Sequence, residues 1–283
     1  MSSPRRSLRL AFSDPRGVGM PVLFVHGFSH NRSVWENLAE ALPGAFRPVS
    51  IDLRGHGESP WSIEGEYDLP SYADDLLPFL DRIGIDRILL VGHSLGGNVA
   101  TLFAAAHPDR VRALVLVDTG PVLEVGGASR VADDVQRALR SYARVEDFRE
   151  QLRLIHPKGD AEILDRLAET GLVQRLDGRF EPALDPGVLG PADGSADLAA
   201  LERELWGALA RVRVPVLLVR GGLSAVLSEK VAQEMVEEVL PDGCLVTLSG
   251  AGHAVMIDDG PALASAIRAF LEERVGCPGP SGD

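Results

Sequence analysis

The sequence predicts an α/β fold, with a mainly parallel sheet, helices on both of its faces and a helical insertion over one end. Three observations carry this prediction: short apolar runs recur along the 283 residues, helical patterns fall between them, and the alternation stops between about 120 and 212. The runs are "MPVLFVHG" (20–27), "FRPVSIDLRG" (46–55), "RILLVGHS" (87–94), "VRALVLVD" (111–118), "VPVLLVRG" (214–221) and "CLVTLSGAGH" (244–253). Each is nearly continuous in apolar residues, as strands covered on both faces are. Helical patterns lie at about 31–42, 70–83, 95–107, 228–240 and 260–274. Strands alternating with helices in this way pair in parallel. "SLRLAFSD" (7–14) is expected to add a strand at the N-terminal edge.

Where the rhythm stops, no strand is expected. The amphipathic segments "VADDVQRALRSYA", "VEDFREQLRLI", "AEILDRLAETGL" and "LAALERELWGALA" follow one another, separated by turns rich in Gly and Pro. An insertion of roughly 90 residues with this much helix is too structured for a loop and reads as a cap. The expected division is a core of residues 1–120 and 213–275, a cap of 121–212 and a disordered tail of 276–283. "LDPGVLGPADGSAD" (184–197) is expected to be the most flexible part of the cap.

With 45% hydrophobic and 24% charged residues the composition is that of an ordinary soluble globule. No apolar run approaches the roughly 18 residues of a membrane-spanning helix. "LRLAF" is too short a run before Asp14 to form a secretory leader. The formal charge of -13 repels phosphate backbones and anionic membranes, so neither nucleic acid nor a membrane is an expected partner. Cys244 and Cys277 make neither a disulfide scaffold nor a metal site, and a reducing cytoplasm is the expected location.

The chemistry concentrates in "VGHSLGG" (91–97), which ends a strand, opens a helix and holds G-x-S-x-G as Gly92, Ser94 and Gly96. The strand-to-helix turn this motif needs is so sharp that side chains two residues either side of the serine would strike the backbone. The helix N-terminus behind Ser94 offers free N–H groups and partial positive charge to a developing oxyanion. "HGF" (26–28) ends another strand, so the backbone N–H groups of Phe28 and Leu95 are the expected oxyanion donors. The chain order of such sites puts the base late, and His253 in "GAGHAV" follows the last strand. The other six histidines sit in Gly turns, beside the serine, at a helix end or on loop and cap surfaces. No phosphate loop, metal-ligand cluster or dinucleotide fingerprint is evident, so neither cofactor nor metal is expected.

"HGF", "DLRGHGES", "GHSLGG", "HPDRVRALVLVD" and "GAGH", in this order and spacing, resemble the α/β-hydrolase superfamily over nearly the whole chain apart from the cap. The resemblance implies an α/β-hydrolase fold with Ser94 as nucleophile, His253 as base and Phe28 and Leu95 as oxyanion donors. It implies that Asp52, Arg54 and His56 of "DLRGHGES" shape the site as structural residues. An elbow aspartate would mark the epoxide hydrolases and haloalkane dehalogenases of the superfamily, whereas a serine points to acyl transfer. The expected activity is hydrolysis of a carboxylic ester, lactone or thioester of a small molecule with an apolar acyl or alkyl group. The alternatives are a carbon–carbon bond hydrolase, a perhydrolase of the non-haem haloperoxidase type, and a non-catalytic small-molecule receptor on the same fold.

The acid is less plain. Alignment with the superfamily puts Ser224 of "RGGLSAVLS" in the slot that many relatives fill with Asp. Asp118 ends the strand after the elbow, should leave the same sheet edge as Ser94 and His253, and matches the acid of haloalkane dehalogenases that carry theirs after this strand. Glu229, a cap carboxylate and an unaided Ser–His pair remain as alternatives. Trp61, Phe148 and Trp206 are candidate pocket residues, while Arg130, Arg153 and His156 are candidates to meet a charged substrate group.

Overall fold

The computed structural model describes residues 8–15, 17–122, 140–189 and 197–276. The strands are β1 (Phe12–Ser13), β2 (Met20–Val25), β3 (Phe46–Ile51), β4 (Ile88–His93), β5 (Val111–Val117), β6 (Leu172–Gln174), β7 (Phe180–Pro182), β8 (Val216–Gly221) and β9 (Gly243–Leu248). Seven of them form one sheet in the order β1-β3-β2-β4-β5-β8-β9. Only β1 runs antiparallel, pairing Phe12 with Ile51 and Ser13 with Ser50. The described helices are α1 (Glu36–Ala41), α2 (Leu69–Asp74), α3 (Leu76–Arg82), α4 (Leu95–Ala106), α5 (Val145–Ile155), α6 (Ala161–Thr170), α7 (Leu198–Leu209), α8 (Glu229–Glu234), α9 (Val255–Asp258) and α10 (Gly260–Phe270).

The sheet is covered on both faces, which is why its strands read as unbroken apolar runs. Along β2, Leu23 and Val25 pack into one core with Tyr72, Phe79 and Phe103, while Val22 and Phe24 pack into the other with Trp35, Ile163 and Ile267. Period-two alternation is present, but both faces want apolar side chains. The strand order turns back between β2 and β4, which pair with each other, so the loops at their C-terminal ends diverge. Such a switch point leaves a crevice at the carboxyl edge of the sheet, into which the loop after β2 and the turn after β4 both open.

Several elements differ from the sequence expectation. The pattern at 70–83 forms two helices, α2 and α3, and Pro78 supplies the reason: it has no N–H for the carbonyl of Asp74, where α2 ends. The expected helix at 31–42 starts as a 3-10 turn, Arg32–Trp35, capped by the Asn31 side chain. The patterns ending near 240 and 274 close in wide π turns, Met235–Val239 and Leu271–Val275. β9 stops at Leu248, because Ser249–Gly252 turn back over the end of β8. The fit there is tight: a Cβ at Gly221 would lie 2.0 Å from the Gly252 carbonyl oxygen.

Between β5 and β8 the expected helices at 145–155, 161–170 and 198–209 are present. Against expectation, they are accompanied by the antiparallel hairpin β6–β7. Its strands are three residues each, with none of the six residues buried, and are too short to write an alternating pattern into the sequence. The expected helix at 131–143, half of the segment expected to be flexible, and the tail beyond Gly276 lie wholly or partly outside the described residues.

This insertion is tied to the core along two lines. Gly57 N–H donates to Ala183 O at 2.7 Å and Asp185 N–H to Gly55 O at 2.8 Å, with His56 and Leu184 bridged between them. On the other side Arg166 reaches Glu36 and Asn37, and the Asn31 side chain donates to Thr170 Oγ1 at 3.1 Å. No helix among the described residues is long and apolar enough to cross a membrane.

Candidate active site

Ser94 stands between β4 and α4 with φ 50° and ψ −117°, a conformation that side-chain-bearing residues seldom adopt. Its neighbours explain how the turn closes. A Cβ at position 92 would sit 2.3 Å from Gly96 O, and one at position 96 would sit 2.4 Å from Val25 O. Only glycine fits at either place. Thr119 steadies the turn from the next strand end, its single hydroxyl hydrogen lying within reach of Ser94 O at 2.8 Å and of Asn98 Oδ1 at 2.9 Å.

Neighbouring strand ends bring the remaining groups to Ser94. Asp118 leaves β5 with φ 45°, its N–H held by Val219 O at 2.8 Å, and it is fully buried. His253 Nδ1–H donates to Asp118 Oδ2 at 2.7 Å, and His253 Nε2 accepts from Ser94 Oγ–H at 3.1 Å. Asp118 Oδ1 accepts the Gly221 N–H at 2.9 Å, and Oδ2 also accepts the Ser224 hydroxyl. The sequence shows Ser224 only as a missing carboxylate. Its donor role follows from the facing of two strand ends, β5 and β8, that lie more than a hundred residues apart. Glu229, by contrast, is exposed on the first turn of α8 and outside the cavity that Ser94 opens into.

Phe28 and Leu95 both line that cavity. Leu95 is the first residue of α4, so its N–H has no carbonyl within the helix to bind. Neither the Phe28 nor the Leu95 N–H donates to an acceptor among the described residues. The cavity holds about 480 Å³. Its wall is largely apolar, with Leu152, Ile155, Leu201 and Leu205 from the insertion, and its polar groups include Ser94, Asn98, Asp118 and His253. Phe148 lies on this wall. Trp61, in an exposed loop after Pro60, and Trp206, on α7 but packed against the core, do not. His156 lines the cavity, Arg153 is exposed and paired with Asp165, and Arg130 lies outside the described residues.

The "DLRGHGES" loop is held together by its own charges. Buried Asp52 accepts the Arg32 N–H at 2.6 Å and the Glu58 N–H at 2.9 Å, and Arg54 grips Asp75 with both arms at 2.7 Å. None of Asp52, Arg54 and His56 lines the cavity. Among the described residues no cluster of His, Cys, Asp or Glu is arranged to hold a metal ion.

Three buried histidines are held neutral. His26 donates Nδ1–H to Gly27 O at 2.8 Å and accepts the Leu53 N–H at Nε2, and burial lowers its pKa to about 4. Burial, followed by the neighbouring His26, takes His56 to about 3. His93 donates Nε2–H to His253 O at 3.0 Å, and burial followed by His253 pushes its pKa well down. Because the folded values lie below the unfolded one, the unfolded chain takes up protons that the folded chain refuses once the pH falls under about 6.5. Stability is therefore expected to decline from pH 7 to pH 5, with His26 and His56 each removing about 2 kcal/mol at the lower value. Urea midpoints at the two pH values check this; equal midpoints would contradict the assignment of neutral histidines.

A family model described as alpha/beta hydrolase fold matches residues 20–260. The 2-(acetamidomethylene)succinate hydrolase of Mesorhizobium japonicum is 29% identical over 257 residues, covering 91% of this chain and 90% of that protein. A pimeloyl-[acyl-carrier protein] methyl ester esterase of Neisseria meningitidis is 32% identical over 263 residues, covering 89% and 92%. Among solved structures, that of E-2-(acetamidomethylene)succinate hydrolase superposes with a TM-score of 0.83 at 29% identity, over 94% of this chain and 96% of the other. An alpha/beta hydrolase from Novosphingobium aromaticivorans gives 0.79 at 31% identity, over 94% of each chain. With the match spanning most of the sheet, the elbow and the loop that bears His253, the chain belongs to the α/β-hydrolase fold family.

Proposed function

We propose that this chain is a serine hydrolase that cleaves a carboxylic ester, lactone or thioester through an acyl-enzyme. The observation that carries the reading is the unbroken hydrogen-bond relay from Asp118 through His253 to a serine held at a strained strand-to-helix turn. In this reading Ser94 Oγ attacks the acyl carbon and its proton passes to His253 Nε2. The carbonyl oxygen gains charge as it does so and accepts the N–H groups of Phe28 and Leu95. His253 then hands its proton to the departing alcohol or thiol, and water, deprotonated by the same nitrogen, releases the acid. Asp118 holds the tautomer that leaves Nε2 free to accept, and it balances the charge of the imidazolium. Residues 121–212 act as the cap that walls the pocket, and the methyl ester esterase among the relatives supports an ester as the bond cut.

Acyl esters, thioesters and lactones of graded chain length, offered to the protein with and without fluorophosphonate treatment, test the proposal. Turnover lost in step with labelling of Ser94 supports it. Turnover of vinylogous diketones, or peroxide-dependent halogenation, with every acyl substrate untouched would overturn it.

Ser224 offers a finer test. Its hydroxyl stabilises the charged form of a fully buried carboxylate, and such charge-assisted hydrogen bonds are about twice as strong as neutral ones. Ser224→Ala is expected to lower kcat about tenfold. A thermal melt run beside the kinetics separates this from unfolding: an altered melt with unchanged kcat would assign Ser224 to stability alone.

A further inference from the structure

α7 carries one residue that its packing does not explain. Leu198, Leu201, Glu202 and Leu205 all line the cavity, at the spacing of a single helical face. Three of these four are leucine, as a face turned toward an apolar pocket requires. The fourth is a carboxylate, although the outward positions Arg203 and Glu204 show that α7 has solvent-facing places for charge. Glu202 is partly buried, and no salt bridge or side-chain hydrogen bond ties it to another described residue. Among the described residues no Lys or Arg lines the cavity, so the only side-chain carboxylates on its wall are Asp118, engaged by His253 and Ser224, and Glu202. A second polar group points the same way. The Tyr72 hydroxyl, on a residue 1% exposed that also lines the cavity, has no hydrogen-bond partner among the described residues.

We propose that Glu202 sets the charge preference of the pocket, favouring acyl substrates that bear an ammonium-type cation and disfavouring those that bear a second carboxylate. The inference rests on the serine-hydrolase reading and deepens it. A carboxylate in a partly dehydrated wall attracts a cation and repels an anion with an energy that falls as salt rises. The whole chain's charge of -13 adds to the same field. The succinate in the name of the Mesorhizobium relative is a dicarboxylate, so on this account the two pockets have parted in the charge they accept.

The test compares p-nitrophenyl hexanoate with its ω-trimethylammonio analogue and with p-nitrophenyl monoadipate, and pairs butyrylcholine with its neutral tert-butyl isostere for the alcohol side. In one of the two series the cationic ester is expected to exceed the neutral one in kcat/KM by about fivefold at low salt, with the monoadipate below both. Glu202→Gln should bring the ratios close to one, and Glu202→Lys should invert them. Taking ratios within each variant removes any loss of folded or active protein. Ratios in Glu202→Gln and Glu202→Lys that match the wild type in both series would overturn the proposal. If no ester is turned over, the serine-hydrolase reading fails first, and thermal shifts decide the charge preference separately. Hexyltrimethylammonium should then raise the melting temperature more than hexanoate does, and only when Glu202 is present; equal shifts would overturn it.

Discussion

Ser94→Ala is expected to lower ester turnover by about 10⁴ or more while leaving the melting temperature close to that of the wild type. The fold bears little of the change, since alanine keeps the Cβ that the elbow already accommodates and removes only the oxygen that meets His253. His253→Ala should cost about as much, and the double variant should be little worse than either single one, because the two groups act as one unit. Single-turnover kinetics on a p-nitrophenyl ester, with fluorophosphonate labelling of the intact protein, read the result. Ester hydrolysis at the wild-type rate in Ser94→Ala would end the mechanism.

The second large effect is that of Asp118→Asn, for which kcat should fall by a factor on the order of 10⁴ in a folded protein. The surrounding hydrogen bonds explain why so small a change costs so much. Gly221 N–H needs an acceptor at Oδ1, which fixes the amide with its carbonyl oxygen toward Gly221 and its NH₂ toward His253 and Ser224. The Ser224 hydroxyl can turn and accept. His253 Nδ1 can accept only by giving up its proton, and the ring then carries that proton on Nε2, facing Ser94 as a donor where an acceptor is needed. Glu229→Gln is expected to change little, because Glu229 lies exposed on α8. A loss under about tenfold in Asp118→Asn, with a large one in Glu229→Gln, would reverse the assignment.

Much of the fold could be read from the chain because its strands have two apolar faces and its glycines have steric duties. Gly92 and Gly96 are legible as an elbow through the motif they frame, but only the constraint on Gly92 is local: a Cβ there meets Gly96 O of the same turn, whereas one at Gly96 meets Val25 O of β2. Part of what escaped reading was non-local. The role of Ser224 depends on β5 and β8 lying side by side, and Trp61 and Trp206 show that an aromatic residue in a loop or on a cap helix carries no mark of the side it faces. The hairpin β6–β7 was invisible because three-residue strands are shorter than the pattern that announces a strand. Pro78 was in plain view, but the helical period of apolar residues runs on through it, so the break after Asp74 left no mark on the pattern.

Asp118 lies at the root of the insertion: two residues beyond it, at Gly120, the chain has left the sheet, and Thr119 between them is fastened to Ser94 O and Asn98. The three residues form a hinge post shared by the sheet and whatever is mounted above it. A chimera that exchanges the insertion for that of a relative should therefore be spliced after Gly120, where a Cβ would already press on Leu227 at 2.8 Å. A junction at the end of β5 itself would carry the carboxylate, its positive φ and the threonine clasp away with the part being replaced. Modularity in this chain begins three residues later than the strand boundary suggests.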